Sequence, residues 1–194
     1  IEQHRGVNMG GMFIPEVWMT PSFFNGTLVE GKVLDRPLAE DGKPLGWGGS
    51  LCRMTIWNRE DTEARMEHRF KTWFTESDFK EIAALGYTSV RLPVGYWNII
   101  EDPYKLFAPT DYKVGRAKID WCFDMAAKYG LTVLLDMHGA PGGQNGQDHS
   151  GCTLPENWMS NENRDLSLKT VEAMAERYSS RPNLYGFELL NEPS

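Results

Sequence analysis

The sequence predicts an α/β fold in which parallel strands alternate with helices. The first observation is an order that recurs along the chain: an amphipathic helix, a glycine, a short apolar strand and a polar residue at the strand's end. The second is that the strand candidates are brief apolar runs between turn residues, as expected of strands covered on both faces. Helical connections bring the carboxyl ends of parallel strands to one edge of a sheet, so the polar residues at those ends are predicted to meet there.

Four strands are predicted. Residues 4–8 form the first, and the glycine pair at 10–11 after it permits a tight turn. Residues 131–138 form the third strand, which ends on a histidine. Residues 87–93 and 184–193 form the second and fourth, and a proline closes each because it has no N–H to donate to a sheet ladder.

Three helices are predicted between these strands. The first begins at residues 75–78, a capping-box variant with aspartate in place of the usual glutamate or glutamine, and Gly86 ends it. The second covers residues 117–129 and stops before Gly130. The third covers about residues 166–178, with apolar side chains at helical spacing.

Residues 25 to about 74 show no clean hydrophobic period. Glycines, prolines and charges are mixed, which predicts a long loop excursion between the first strand and the first helix. Within it, residues 60–74 are the candidate for a short amphipathic helix.

Composition narrows the classes of function. The 194 residues are 41% hydrophobic, enough for one sizeable core, and no run of about 18 apolar residues predicts a membrane span. The net charge of −7 without a basic stripe argues against nucleic acid as a partner. The glycine-rich stretch 141–151 lacks the lysine and spacing of a phosphate loop. His138, Asp148 and His149 lack the spacing of a metal-ligand set, so neither a metal nor a cofactor is predicted.

The three cysteines are an odd set. Cys122 lies in a predicted helix and is interpreted as a buried apolar residue. Cys52 and Cys152 lie in predicted loops, and the sequence leaves open whether they pair. Residues 25–27 form a glycosylation sequon, a frequent tripeptide that is weak support for secretion.

Polar residues at three strand ends are the candidates for a site. Arg91 lies near the end of the second predicted strand, His138 at the end of the third, and Asn191 and Glu192 at the end of the fourth. Their convergence favours a binding or catalytic site at the sheet edge. The alternative for Glu192 is a surface carboxylate that happens to follow a core strand.

Two of these residues also have structural interpretations. Arg91 is spaced to form an internal ion pair with Glu188, and His138 can be a core histidine bonded to Asp136 or to a backbone carbonyl. The residues alone leave both alternatives open.

Two loops add further candidates. Glu16 and Trp18 follow the first strand and suggest a binding rim, with an ordinary surface loop as the equal alternative. The stretch 141–151 is suited to lie over the sheet edge and offer amides to hydroxyl groups.

Taken together, several motifs resemble glycoside hydrolase family 5, and most of all its fungal-type exo-β-1,3-glucanases. The resemblance covers nearly the whole chain except about residues 25–65. The motifs are Met-Gly-Gly-Met-Phe at 9–13, Met-Thr-Pro-Ser at 19–22, Val-Arg-Leu-Pro-Val-Gly-Tyr-Trp at 90–97, Asp-Met-His-Gly-Ala-Pro-Gly at 136–142, Gln-Asn-Gly at 144–146 and Glu-Leu-Leu-Asn-Glu-Pro at 188–193.

The resemblance implies a (β/α)₈ TIM barrel, of which residues 1–194 supply about strands 1–4 with their helices, the N-terminal half of the catalytic domain. It also implies retaining hydrolysis of β-glucosidic bonds, with Glu192 as general acid/base and Asn191 beside it. The nucleophile of the family is a Glu on the seventh strand, outside this chain. A partner that completes the barrel is therefore expected, either in the same polypeptide or in a second chain.

The resemblance assigns further roles. Arg91 and His138 match positions that support the catalytic carboxylates and the sugar in the cleavage subsite. Glu16 and Trp18 match a loop that holds the terminal glucose. His149 stands where this branch commonly has a sugar-contacting Asn.

The predicted function is exo-acting hydrolysis of β-1,3-glucan by a secreted or cell-wall protein. Two alternatives stay open: hydrolysis of other β-glucosides, including glucolipids, and a non-catalytic carbohydrate-binding or structural role on the same scaffold.

Overall fold

The computed structural model describes residues 4–25, 28–29, 32–33, 49–104, 111–152 and 158–194. Most of the sequon, Gly26 and Thr27, lies outside these residues. The described elements, in chain order, are β1 (Gly6–Asn8), β2 (Leu28–Val29), β3 (Lys32–Val33), α1 (Ser50–Trp57), α2 (Arg59–Thr72), α3 (Glu76–Ala84), β4 (Ser89–Gly95), α4 (Tyr112–Lys128), β5 (Thr132–Gly139), α5 (Asn161–Tyr178) and β6 (Leu184–Glu188).

The predicted parallel α/β fold is confirmed. Four strands form one sheet in the order β1–β4–β5–β6, and every pair in it is parallel. Strands β2 and β3 form a separate antiparallel pair. In β4, six of seven residues are buried, which explains why its sequence is apolar without alternation.

Strand β4 continues past the proline that was expected to close it. Arg91 O accepts from Met9 N at 2.9 Å, so the backbone polar groups of Arg91 face β1. Pro93, two residues on, faces the same side, but β1 ends at Asn8, which pairs with Arg91. The missing N–H of Pro93 therefore leaves no β1 acceptor unpaired, and the strand reaches Gly95.

Strand β6 is shorter than predicted. It ends at Glu188 instead of running to Pro193. Beyond it, the chain stays attached to β5 through Asn191 N, which donates to Met137 O at 3.0 Å. Glu192 then has φ 44°, a left-handed conformation that a strand cannot contain.

Within the excursion predicted over residues 25–74, the short helix proposed for residues 60–74 is confirmed as α2, whereas α1 was not predicted. The buried face of α2 consists of Thr62, Met66, Arg69 and Phe70, which follow a helical period but include a hydroxyl and a charge. That mixture makes the apolar pattern of this face weak. Helix α2 begins at a recognisable cap, because the side chain of Asn58 accepts from Asp61 N at 3.1 Å.

Helices α4 and α5 begin earlier than predicted because each has an N-cap upstream of its apolar face. Asp111 accepts from Lys113 N at 2.8 Å, and Ser160 accepts from Asn163 N at 3.2 Å. Gly86 and Gly130 follow α3 and α4 with φ of 83° and 71°, the left-handed geometry of a helix stop.

The structure shows which cysteines pair, a question that the sequence left open. Cys52 on α1 and Cys152 form a disulfide with Cα atoms 5.3 Å apart. Cys122 is a free, buried thiol, and burial raises its pKa to about 12. Among the described helices, none is long and apolar enough to span a membrane.

Candidate active site

The centre of the site is Arg91, whose guanidinium bridges three strands. It donates to Glu188 on β6 through Nε to Oε2 at 2.8 Å and through Nη2 to Oε1 at 2.7 Å. Its Nη2 also lies 2.9 Å from Asp136 Oδ2 on β5 and donates to Asn191 Oδ1 at 3.0 Å. Nη1 reaches Asn8 Oδ1 on β1 at 3.3 Å. One side chain thus holds polar groups from all the strands that neighbour β4 and from β6.

The two carboxylates on Arg91 differ in their titration. Hydrogen bonding to Arg91 lowers the pKa of Glu188, whose side chain is 32% exposed. The Asp136 side chain is fully buried, and loss of hydration raises its pKa despite its contacts with His138 and Arg91. The hydrogen bond to Glu188 raises the pKa of Arg91, so the guanidinium is a permanent cation here.

His138 is fixed by the same aspartate. Its Nδ1 lies 2.6 Å from Asp136 Oδ2, and its side chain is mostly buried. A carboxylate on Nδ1 favours a hydrogen on that nitrogen, which leaves Nε2 for a ligand. The second oxygen of Asp136 is buried and has no hydrogen-bond partner among the described residues.

Gln144 joins the end of β5 to the segment that carries Glu192. Its Nε2 donates to His138 O at 2.7 Å and to Asn191 O at 2.9 Å, and its Oε1 accepts from Ala140 N at 3.0 Å. The residue is fully buried, so these bonds are made without competition from water. Gln144 therefore sets the distance between the two strand ends.

Glu192 presents its carboxylate outward from this frame. Its side chain is 69% exposed, and Oε2 lies 3.4 Å from His149 Nε2. Asn145 Nδ2 lies 3.1 Å from His149 Nε2 and donates to Glu192 O at 3.1 Å. The rings of His138 and His149 are 5.0 Å apart, which connects this group to Asp136.

Glu16 and Trp18 form a compact turn. Trp18 Nε1 donates to Glu16 Oε2 at 2.8 Å, and the backbone closes through Thr20 N to Glu16 O at 2.8 Å. Glu16 is buried, whereas the Trp18 side chain is 72% exposed. The turn presents a large apolar ring whose N–H is already satisfied.

The structure thus brings the predicted site residues into three connected groups. Arg91, His138 and Asn191 share one hydrogen-bonded cluster, Glu192 contacts His149, and Glu16 contacts Trp18. The internal contacts suggested for two of these residues are observed as well: Arg91 pairs with Glu188, and His138 bonds to Asp136. At the sheet edge these residues are both internally paired and close to Glu192.

Three polar residues of the site were not predicted as members of it: Asp136, Glu188 and Gln144. The sequence contains a signal for Asp136: it lies two residues before His138 on the same strand, and side chains at that spacing point to the same face of a sheet. Asp136 also pairs in register with Glu188 on β6. Gln144 lies in the motif at 144–146, but its structural role was not predicted because its partners lie in two different segments.

These features define the class of the protein. Arg91 lies within β4 and not near its end as predicted, but its guanidinium reaches Asp136 near the end of β5 and Glu188 at the end of β6. A parallel sheet flanked by helices, with these groups and His138 towards the carboxyl ends of its strands, is half of a (β/α)₈ barrel with its functional face. Residues 38–194 match the family Cellulase (glycosyl hydrolase family 5). The chain belongs to this family.

Similar proteins support the same placement. The chain is 38% identical over 191 residues to a glucan 1,3-beta-glucosidase of Blumeria graminis, and 36% identical over 198 residues to a sporulation-specific glucan 1,3-beta-glucosidase of Saccharomyces cerevisiae. These alignments cover 98% and 99% of the chain, but only 41% of either relative. The crystal structure of a rutinosidase from Aspergillus niger matches with TM-score 0.71 and 25% identity, over 99% of this chain and 49% of that one.

Proposed function

We propose that the protein, with its barrel complete, is a retaining glycoside hydrolase that removes glucose from the ends of β-1,3-glucan. The observation that carries this proposal is the position of Glu192, an exposed carboxylate at the carboxyl edge of the sheet beside the Arg91 cluster. The glucan 1,3-beta-glucosidases among the relatives support the substrate class.

In this proposal Glu192 is the general acid/base. It protonates the leaving oxygen in the first step, and in the second step it takes a proton from the water that attacks the glycosyl intermediate. The nucleophile is a second carboxylate from the part of the barrel that this chain does not supply. Retaining enzymes hold the two carboxyl groups about 5–5.5 Å apart.

The surrounding residues have supporting roles. Arg91 is the fixed positive charge of the site and orients Asn191 beside the acid/base. His138 Nε2 is oriented by the bond from Nδ1 to Asp136 and is available to a sugar hydroxyl. We assign Glu16 and Trp18 to the terminal glucose, with the Trp18 ring as its apolar platform, and His149 to a contact beside Glu192.

A second substrate class has its own support. The likeness to a rutinosidase favours a family member that acts on another β-glycoside, such as a rutinoside. A glucolipid belongs to the same alternative, and a non-catalytic carbohydrate-binding protein is the third.

We also propose a secreted or wall-associated location. The disulfide between Cys52 and Cys152 supports it, because disulfides persist in oxidising compartments.

The experiment uses the full-length protein with laminarin, laminaribiose and rutin as substrates. We expect glucose from the two glucans, released first as the β-anomer in a proton NMR time course. The control is Glu192→Gln, which should bind laminaribiose without cleaving it. Cleavage of rutin alone would favour the second class. Binding of laminarin by wild-type protein without any cleavage would favour the non-catalytic alternative.

A further inference from the structure

Asp148 links the two loops that carry the rim of the candidate site. It lies in a short 3₁₀ helix, Asp148–Ser150, next to His149. Its Oδ2 accepts a hydrogen bond from Val17 N at 3.2 Å, across 131 positions of sequence. Val17 is the residue between Glu16 and Trp18, so this bond holds the centre of their turn.

The other oxygen of Asp148 fixes a helix. Its Oδ1 accepts from Ser50 N, the first residue of α1. The N-cap residue of α1 is Gly49, which has no side chain to perform this function. A carboxylate at a helix N-terminus satisfies an otherwise unpaired N–H and interacts favourably with the helix dipole.

Two further contacts prevent α1 from moving away from this loop. Gly49 N donates to Gly151 O at 2.8 Å, and the disulfide joins Cys52 to Cys152. A side chain at Gly49 would meet Asp148 O at 2.2 Å, so the two backbones are in close contact. Asp148 is therefore held on one side by α1, and its remaining acceptor oxygen serves the Val17 amide.

We propose that Asp148 is a positioning residue that sets the Glu16–Trp18 turn against the loop bearing His149, and so aligns terminal-sugar recognition with Glu192. The proposal rests on the proposed function, because it assigns Glu16 and Trp18 to the terminal glucose. In this proposal Asp148 acts on the sugar through the turn, because its two oxygens accept from Val17 N and Ser50 N. Its substitution should therefore weaken binding of the sugar more than it slows the bond-breaking step.

Asp148→Asn tests the proposal in the full-length protein. The amide keeps one acceptor oxygen for Ser50 N but replaces the other with a donor that cannot accept from Val17 N. We expect the KM for laminaribiose, and its Kd measured in the non-cleaving Glu192→Gln background, to rise about tenfold while kcat changes little, since a hydrogen bond to a charged group is lost from the binding step. Asp124→Asn on α4 is the matched control, because Asp124 pairs with Arg181 on the protein surface.

A double-mutant cycle separates positioning from general destabilisation. If Asp148 acts through the turn, adding Asp148→Asn to the double variant Glu16→Gln with Trp18→Ala should not weaken laminaribiose binding further, because both sugar-contacting side chains of the turn are already changed. If Asp148→Asn raises the Kd for laminaribiose by the same factor whether or not the turn is intact, the proposal is overturned. Equal binding by wild type and Asp148→Asn would overturn it while leaving the proposed function intact.

Hydrogen exchange at the Val17 amide gives a readout that does not depend on the ligand. The amide should exchange slowly in the wild type and faster in Asp148→Asn. Unchanged exchange would overturn the proposal whatever the ligand results. Failure of the wild type to bind laminaribiose counts against the proposed function, and with it against the assignment of the turn to the terminal glucose.

Discussion

Arg91 and Glu188 form a two-pronged ion pair that passes over the strand between them. Arg91 lies on β4 and Glu188 on β6, and two N–H···O bonds of 2.8 and 2.7 Å join them across β5. Side chains from alternate strands meet in this way inside barrels, where they form layers. The pair therefore connects the strands of the half-barrel on its functional face.

Arg91→Lys should disrupt this layer although it preserves the charge. A lysine ammonium cannot make the planar two-pronged contact with Glu188 and still reach Asp136 and Asn191. We expect the free energy of unfolding to fall by about 1–3 kcal/mol and kcat to fall with it. Chemical denaturation and kinetics of the full-length protein measure both, with Arg177→Lys in the surface pair with Asp120 as control. Equal losses in the two variants would contradict a special role for Arg91.

Glu188→Gln should destabilise the protein in a pH-dependent way. The folded-state pKa of Glu188 is lowered from 4.5, so its contribution to stability is complete above pH 4.5 and is lost as the pH falls through the folded value. We expect Glu188→Gln to lose about 1–2 kcal/mol near neutral pH, and the difference from wild type to shrink in acid. Denaturation of both proteins across this range measures it.

Asp136→Asn provides a contrast of opposite sign. Burial raises the folded-state pKa of Asp136 above 3.8, so the folded protein binds this proton more tightly than the unfolded chain does. Ionisation of Asp136 therefore opposes folding. The free energy of unfolding of wild type, relative to Asp136→Asn, should therefore decrease as the pH rises from below 3.8. If the stability difference from wild type changed with pH in the same direction for Glu188→Gln and Asp136→Asn, the causes assigned to the two pKa shifts would be wrong.

The sequence predicted the elements whose signals are local. The capping box at Thr75, the glycine stops and the apolar strands were visible because each depends on residues near in sequence. Helix α1 was not, since its N-terminus is capped by Asp148, 98 residues away. The same limit applies to the site: Arg91, His138 and Glu192 lie at predicted strand ends, whereas Gln144 depends on tertiary contacts.

Gln144→Leu should show how much those tertiary contacts contribute. The substitution removes the partners of Ala140 N, His138 O and Asn191 O inside the protein. Buried groups without partners cost about 1–3 kcal/mol each, and we expect a loss of about 2–4 kcal/mol after local relaxation. Gln147→Leu, at an exposed position of the same loop, is the control and should change the free energy of unfolding little.

The disulfide between Cys52 and Cys152 should contribute strongly to stability. It joins residues 100 positions apart, and loop-closure estimates for such a span give about 4–5 kcal/mol, of which measured values usually reach about 2–5. We expect reductant to lower Tm in the wild type and in Cys122→Ala, but not in Cys52→Ser with Cys152→Ser. A reductant effect that disappears with Cys122 would contradict the assignment.

Glu192→Gln is the prediction that bears most directly on mechanism. If Glu192 is the acid/base, the variant should fold, bind laminaribiose and lose most turnover on laminarin, because the leaving oxygen is no longer protonated. Aryl glucosides with good leaving groups need little acid assistance, so formation of their glycosyl intermediate should be affected far less. Breakdown of that intermediate also needs a base when water attacks, but azide attacks without one. Azide should therefore restore turnover and yield a β-glucosyl azide, which retention at the anomeric carbon requires.

His149→Asn, which changes the residue 3.4 Å from the Glu192 carboxylate, serves as the control and should show no azide rescue. Near-wild-type turnover of laminarin by Glu192→Gln, or an α-glucosyl azide as the product, would show that the mechanism is assigned wrongly.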